Sequence, residues 1–202
     1  MIAQKQSIKL RAKDDFSTYR AIRYEAFIAK DILNLVTRYV LRYCQQKSEL
    51  KLSKQVADHA LDWYNPIIAE AMLFEYTEVL ESIVGIQLEP TYSFLRLYSR
   101  GAELLRHTDR PACEYSATAC IALHGANDWP LHLQGPRGEI KMLMRPGDLV
   151  VYQGQYPHWR NPFKGEHCLQ IFFHYVEKNG PNKDFRGDSE KHLAPPTWKD
   201  AR

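Results

Sequence analysis

From Leu88 onward the chain is a succession of short aromatic and aliphatic runs cut by turn signals, and this pattern constrains the fold more than any other feature. The runs fall at residues 91–98, 115–123, 129–133, 139–144, 149–152 and 168–176. Gly135-Pro136-Arg137-Gly138 and Pro146-Gly147-Asp148 are turn sequences between them. Segments this short and this often interrupted do not make the alternating units of a parallel sheet interleaved with helices. They predict antiparallel sheets packed face to face, as in a sandwich, a barrel or a jelly roll.

Before Leu88 the pattern has a helical period. Over residues 14–47, Ile28, Ile32, Leu35, Val36, Tyr39, Val40 and Tyr43 recur at helical spacing. A second such segment spans 53–85, with Ser53 as N-cap and Gly85 as stop. Pro66 interrupts it, so a helix to about residue 64 and another over 66–84 are expected. The stripe Ile67, Ala71, Phe74, Val79, Leu80 and Ile83 on the second needs a surface to pack on, and a sheet face supplies one. The expected architecture is α+β in a single domain of 202 residues: 1–88 mainly helical support, 89–177 the β core, and 178–202 a polar tail.

Composition narrows the function. At 45% hydrophobic residues the chain is a folded globule. Lys plus Arg is 27 against 24 Asp plus Glu, and basic residues are dispersed, so a nucleic-acid partner is not expected. No apolar stretch approaches the roughly 20 residues of a membrane helix. The opening MIAQKQSIKLRAKDD has no apolar core of a signal peptide, which makes a cytoplasmic location the expectation. Cys44, Cys113, Cys120 and Cys168 form no CxxC pair, so free thiols rather than a zinc ribbon are expected.

The chemistry concentrates in two places. His107-Thr108-Asp109 puts an imidazole and a carboxylate two residues apart, on one face if the backbone is extended. His158, in Tyr156-Pro157-His158-Trp159-Arg160, follows the turn and strand at 145–152, and a barrel brings this strand beside the first. Two histidines and one carboxylate are the facial triad of non-haem Fe(II) oxygenases, with three positions left open; zinc accepts the same ligand types. Taken singly, His107 with Asp109 reads equally as a hydrogen-bonded surface pair, and His158 as a loop histidine stacked on Trp159. His174 reads as a strand histidine with a partner. Arg110 either pairs with Glu114 or steers an anionic substrate.

Taken together, Tyr98-Ser99-Arg100-Gly101, His107-Thr108-Asp109, Arg145-Pro146-Gly147-Asp148 and His158 resemble the Fe(II)/2-oxoglutarate-dependent oxygenases, most of all the prolyl 4-hydroxylase-like branch, over about residues 91–176. The resemblance implies a double-stranded β-helix (a jelly-roll, cupin-like barrel) with N-terminal supporting helices. It implies Fe(II) held by His107, Asp109 and His158, with 2-oxoglutarate as co-substrate and O2 as oxidant. It further implies release of succinate and CO2 while a C–H bond of an amino acid, a peptide or a small molecule is hydroxylated.

The sequence departs from the branch where the co-substrate's far carboxylate is held. The basic residue nine or ten positions after the distal histidine is replaced by His167 and Cys168, and Ala122 falls near a usual tyrosine. Arg160 is the first candidate to take its place, then His167, then Lys164, with Tyr98 as a pocket tyrosine. The departure keeps two other functions open: a metal-dependent oxygenase or hydrolase that does not use 2-oxoglutarate, and a non-catalytic barrel-shaped binding module.

Overall fold

The computed structural model describes residues 16–46 and 59–188. Among these are ten strands: β1 (Ala21–Tyr24), β2 (Ala60–Tyr64), β3 (Leu88–Ser99), β4 (Leu104–His107), β5 (Tyr115–His124), β6 (Leu131–Gly135), β7 (Gly138–Met142), β8 (Leu149–Gln153), β9 (His158–Arg160) and β10 (His167–Glu177). Two helices, α1 (Lys30–Gln46) and α2 (Ile67–Val84), accompany them. Six strands in the order β1-β8-β5-β10-β3-β2 make a large sheet, and four in the order β4-β9-β6-β7 make a small one. Every pairing is antiparallel.

Strand β10 shows how the layers form, because its side chains alternate between two different interiors. Cys168 and Phe172 point between the sheets, where they join Tyr92, Phe94 and Tyr98 of β3 and Leu104, Leu131 and Leu133 of the small sheet. Leu169, Ile171, Phe173 and Tyr175 point the other way, onto Val36 and Val40 of α1 and Leu73, Leu80 and Ile83 of α2. Helices of 17 and 18 residues in a protein draw most of their stability from packing an apolar face rather than from propensity. Their stability comes from this sheet face, at about 1.5–3 kcal/mol for each large apolar side chain fully buried. The architecture is the double-stranded β-helix with supporting helices that the resemblance implies.

The helical expectation fails in two places. Over residues 14–47 the described chain makes a helical turn at 16–19, then β1, and only then α1. Arg20 (φ 60) and Ala26 (φ 47) bracket β1 in the left-handed region, where no helix continues. Pairing with β8 holds β1 in place, and so does Asp148, which accepts hydrogen bonds from Arg23 Nη2 (2.8 Å) and the Ala26 amide (3.1 Å). Over 53–64 the expected helix is replaced by β2 from Ala60; residues 53–58 lie outside the described residues. His59 (φ 55) and Asn65 (φ 47) bound β2 in the same way. Asp62 stands opposite Arg96 of β3, and the two form a bidentate ion pair at 2.5 and 3.1 Å. In both cases strand pairing overrides a local helical pattern. The second helix has the expected span and ends at Gly85 (φ 79), whose N–H returns to the Glu81 carbonyl at 2.8 Å, but it packs through Ala69, Met72, Leu73, Leu80 and Ile83 and leaves Ile67, Ala71 and Phe74 of the expected stripe exposed.

Candidate metal centre

His107 ends β4 and His158 begins β9, and the register of the two strands sets them directly opposite each other. Their ring centroids are 4.3 Å apart. Asp109 lies past the end of β4. Its N–H donates to the Gly154 carbonyl at 2.8 Å, which turns its carboxylate back toward the histidines. Asp109 Oδ1 lies 3.6 Å from Nε2 of His107 and 3.6 Å from Nε2 of His158. Ligand atoms at about 2.0–2.2 Å from one ion stand roughly 3 Å apart when adjacent, so the set needs only a small inward movement to close on a metal.

The tautomers suit that role. His107 Nδ1 is 2.7 Å from the Leu105 carbonyl oxygen, and His158 Nδ1 is 3.0 Å from that of Tyr156. A carbonyl only accepts, so each Nδ1 carries the proton and each Nε2 offers its lone pair to the centre. Burial works to raise the Asp109 carboxyl, but the neighbouring imidazoles of His107, His158 and His174 outweigh it and hold it below the usual carboxylate range. Burial dominates at His158 and pushes it down. At His107, burial is outweighed by Asp109 and the Leu105 carbonyl, and the imidazole is raised. An ionised carboxylate and a neutral buried imidazole are the forms that bind metals. The donor set therefore fits a divalent ion.

The other expected residues scatter. Tyr98 and Arg160 lie wholly buried inside the barrel. Arg160 donates to the carbonyl of Trp129, to Gln170 Oε1 at 3.0 Å and to Met144 Sδ at 2.9 Å, and its guanidinium lies 4.9 Å over the Trp129 ring. Tyr98 Oη and Arg160 Nε have no hydrogen-bond partner. His167 is exposed at the start of β10, two residues before Leu169 on the strand face turned to the helices, and is not brought to the others. Lys164 is exposed too, its carbonyl accepting from Arg100 at 2.7 Å. Arg110 pairs with Asp188 at 2.7 Å, not with Glu114, and covers the Tyr92 ring at 4.5 Å.

Sequence reasoning missed four residues around the centre. Arg96 lines the same cavity as His107, Asp109 and His158, neutralised by Asp62; its signal, a lone Arg in an apolar strand, was visible. Ser116 Oγ reaches Asp109 Oδ2 at 3.2 Å and His174 Nδ1 at 2.9 Å, and no motif announces it. His174 was visible as a histidine with a partner, though not as a neighbour of the centre; burial pushes it down to about 4. Gly154 packs so closely that a Cβ there would collide with the Cys113 carbonyl and come within 2.8 Å of Asp109 Oδ2. A larger cavity of about 250 Å³, lined by Tyr39, Tyr43 and Trp63, contains none of the three clustered residues.

No protein-family model matches the sequence, and no curated protein matches it either. Solved structures do. The non-heme alpha ketoglutarate dependent carbocyclase SnoK from nogalamycin biosynthesis superposes with a TM-score of 0.73 at 10% identity, over 95% of this chain and 93% of its own. A Pseudomonas putida prolyl-4-hydroxylase superposes at 0.66 and 18% identity, over 82% of this chain and 97% of its own. HygX from Streptomyces hygroscopicus, solved with nickel and 2-oxoglutarate bound, superposes at 0.68 and 9% identity, over 85% and 88%. With its two sheets, its outer helices and its His107–Asp109–His158 cluster, the chain has the fold of the Fe(II)/2-oxoglutarate-dependent oxygenases.

Proposed function

We propose that the protein is an Fe(II)/2-oxoglutarate-dependent oxygenase that hydroxylates a C–H bond of an amino acid, a peptide or a small molecule. The observation that carries this reading is the convergence of His107 Nε2, Asp109 and His158 Nε2, all within 4.8 Å of one another. These three residues would hold the metal. When bound, iron with 2-oxoglutarate and O2 supplies the oxidising power, and 2-oxoglutarate leaves as succinate and CO2.

The chain's own residues bind, orient and exclude water. Leu105 and Tyr156 carbonyls fix the two imidazoles in their metal-binding tautomers. Arg160, with Tyr98, receives the far carboxylate of 2-oxoglutarate. Two features support this. Among the described residues the hydrogen-bond partners of Arg160 are all uncharged, and a buried cation without an anion is strongly disfavoured. Tyr98 Oη and Arg160 Nε are also buried and unpartnered, within electrostatic reach of each other, so each has a donor to give. The aromatic side chains Tyr64, Tyr92, Phe94 and Phe172 wall the cavity beside the triad and would meet the substrate there.

A metal-dependent oxygenase without 2-oxoglutarate remains as a second reading, favoured by one observation: Cys168, not a cation, points between the sheets at the position where the resemblance expects a base. Assay of aerated, iron-loaded protein for succinate, across amino acids, peptides and small molecules, separates the two. Succinate that depends on substrate and disappears in Asp109→Ala is expected. Oxidised substrate without succinate would establish the second reading instead.

A further inference from the structure

We propose that Ser116 and His174 are positioning residues that hold Asp109 as a one-oxygen ligand, keeping one more metal position open than a two-oxygen carboxylate would. The inference rests on the metal reading above.

The geometry begins with the two carboxylate oxygens, which have different surroundings. Oδ1 faces both histidine Nε2 atoms at 3.6 Å. Oδ2 is the oxygen held by Ser116, 3.2 Å from its Oγ. Ser116 has one hydroxyl proton and three neighbours: Asp109 Oδ2, the Cys113 carbonyl oxygen at 3.2 Å, and His174 Nδ1 at 2.9 Å. Were that proton given to His174, the hydroxyl would turn bare lone pairs toward two acceptor oxygens. With His174 Nδ1–H donating to Ser116 Oγ, the hydroxyl proton is left for the two oxygens at 3.2 Å, and the ionised carboxylate oxygen, Asp109 Oδ2, is a stronger acceptor than the neutral Cys113 carbonyl. His174 thus orients the hydroxyl, and the hydroxyl retains one oxygen of the ligand. Ser116 and His174 face each other across the β5–β10 ladder, and both are buried, so the sheet fixes the relay.

Asp109, Cys113 and His174 also lie within 4.8 Å of one another and could be read as a second metal site. Their atoms are already engaged. Cys113 Sγ is 3.0 Å from Tyr92 Oη, and both His174 Nδ1 and Asp109 Oδ2 are on Ser116. The group supports the first site.

The consequence is one of coordination number. In a six-coordinate ion, two imidazoles and one oxygen leave three positions, and a chelating 2-oxo acid uses two. A carboxylate bound through both oxygens leaves none after chelation. Releasing Oδ2 therefore changes both how tightly the metal is held and what can join it.

Co2+ added to the metal-free protein tests this by calorimetry and by its visible spectrum, which reports coordination number. Ser116→Ala is expected to weaken Co2+ binding by about 10–100-fold and to change the spectrum. Ser116→Thr, which keeps the hydroxyl, should restore both, and His174→Phe should shift the spectrum in the same direction as Ser116→Ala. Parent affinity and parent spectrum in Ser116→Ala would overturn the relay while leaving the metal site standing. A parent protein that takes up no Co2+ would overturn the metal reading itself. If circular dichroism shows Ser116→Ala unfolded, His174→Phe decides by the same two readouts, a parent-like spectrum again overturning the relay.

Discussion

His107 and His158 stand directly opposite each other across the β4–β9 ladder, their ring centroids 4.3 Å apart. Two chain segments some fifty residues apart in sequence thus deliver their imidazoles by strand register, and Asp109 closes the set from the loop that follows β4. Removing any one member leaves only two of the proposed ligands. Asp109→Ala and His158→Ala should each abolish stoichiometric binding of a divalent metal, read by metal analysis after gel filtration. Asp128→Ala, outside the cluster, should retain it.

Tyr98 offers a clean test of the co-substrate site. Its Oη is buried without a partner, so Tyr98→Phe should leave the melting temperature unchanged or raise it. If the hydroxyl donates to a carboxylate of 2-oxoglutarate, the same variant weakens 2-oxoglutarate binding about 10–100-fold, the worth of a hydrogen bond to a charged group. Arg160→Ala should weaken it further and also lower stability, because Trp129 and Gln170 lose a donor. His167→Ala should change neither. Calorimetric titration of the metal-loaded variants under nitrogen reads these differences; an unaltered affinity in both Tyr98→Phe and Arg160→Ala would place the carboxylate elsewhere.

Gly154 controls Asp109 sterically. A Cβ at this position would press on the Cys113 carbonyl and on the Asp109 side chain. Gly154→Ala should therefore lower metal affinity by at least about tenfold, in the range seen when groups supporting ligands are disturbed. Co2+ calorimetry reads it, and parent affinity would show that the loop relaxes freely.

The metal-free protein should lose stability in mild acid through His174. Burial lowers this imidazole from 6.5 to about 4. Between those values the unfolded chain binds a proton that the folded chain refuses, so stability is complete above about pH 6.5 and falls as pH drops toward 4. The full difference is about 3 kcal/mol. His107, raised by Asp109, works in the opposite sense, and His174→Phe isolates the share of His174. Urea unfolding at pH 7 and pH 4.5 should show a smaller loss in that variant than in the parent; equal losses would contradict the assignment.

Of the strands from Leu88 onward, β3, β5, β6, β7, β8 and β10 were legible because each carries its own signal, β-branched and aromatic content with turns such as Pro146-Gly147-Asp148 between them; the short β4 and β9 fall outside the apolar runs. The triad was legible because a His-x-Asp spacing and a downstream histidine survive as a pattern. Strands β1 and β2 were not, since they exist through pairing with β8 and β3 and through Arg23–Asp148 and Arg96–Asp62, contacts between residues far apart in sequence. Ser116 and Gly154 escaped for the same reason. A serine in a strand and a glycine in a turn are ordinary until the fold sets them against Asp109.

Iron held by His107, Asp109 and His158 and chelated by 2-oxoglutarate, as proposed, has a visible signature. Anaerobic addition of Fe(II) and then 2-oxoglutarate to the metal-free protein, followed in the visible spectrum, tests it most directly. A charge-transfer band that saturates at one equivalent of each and is absent from Asp109→Ala is expected. Iron bound at one equivalent with no band on adding 2-oxoglutarate, or a band undiminished in Asp109→Ala, would contradict it.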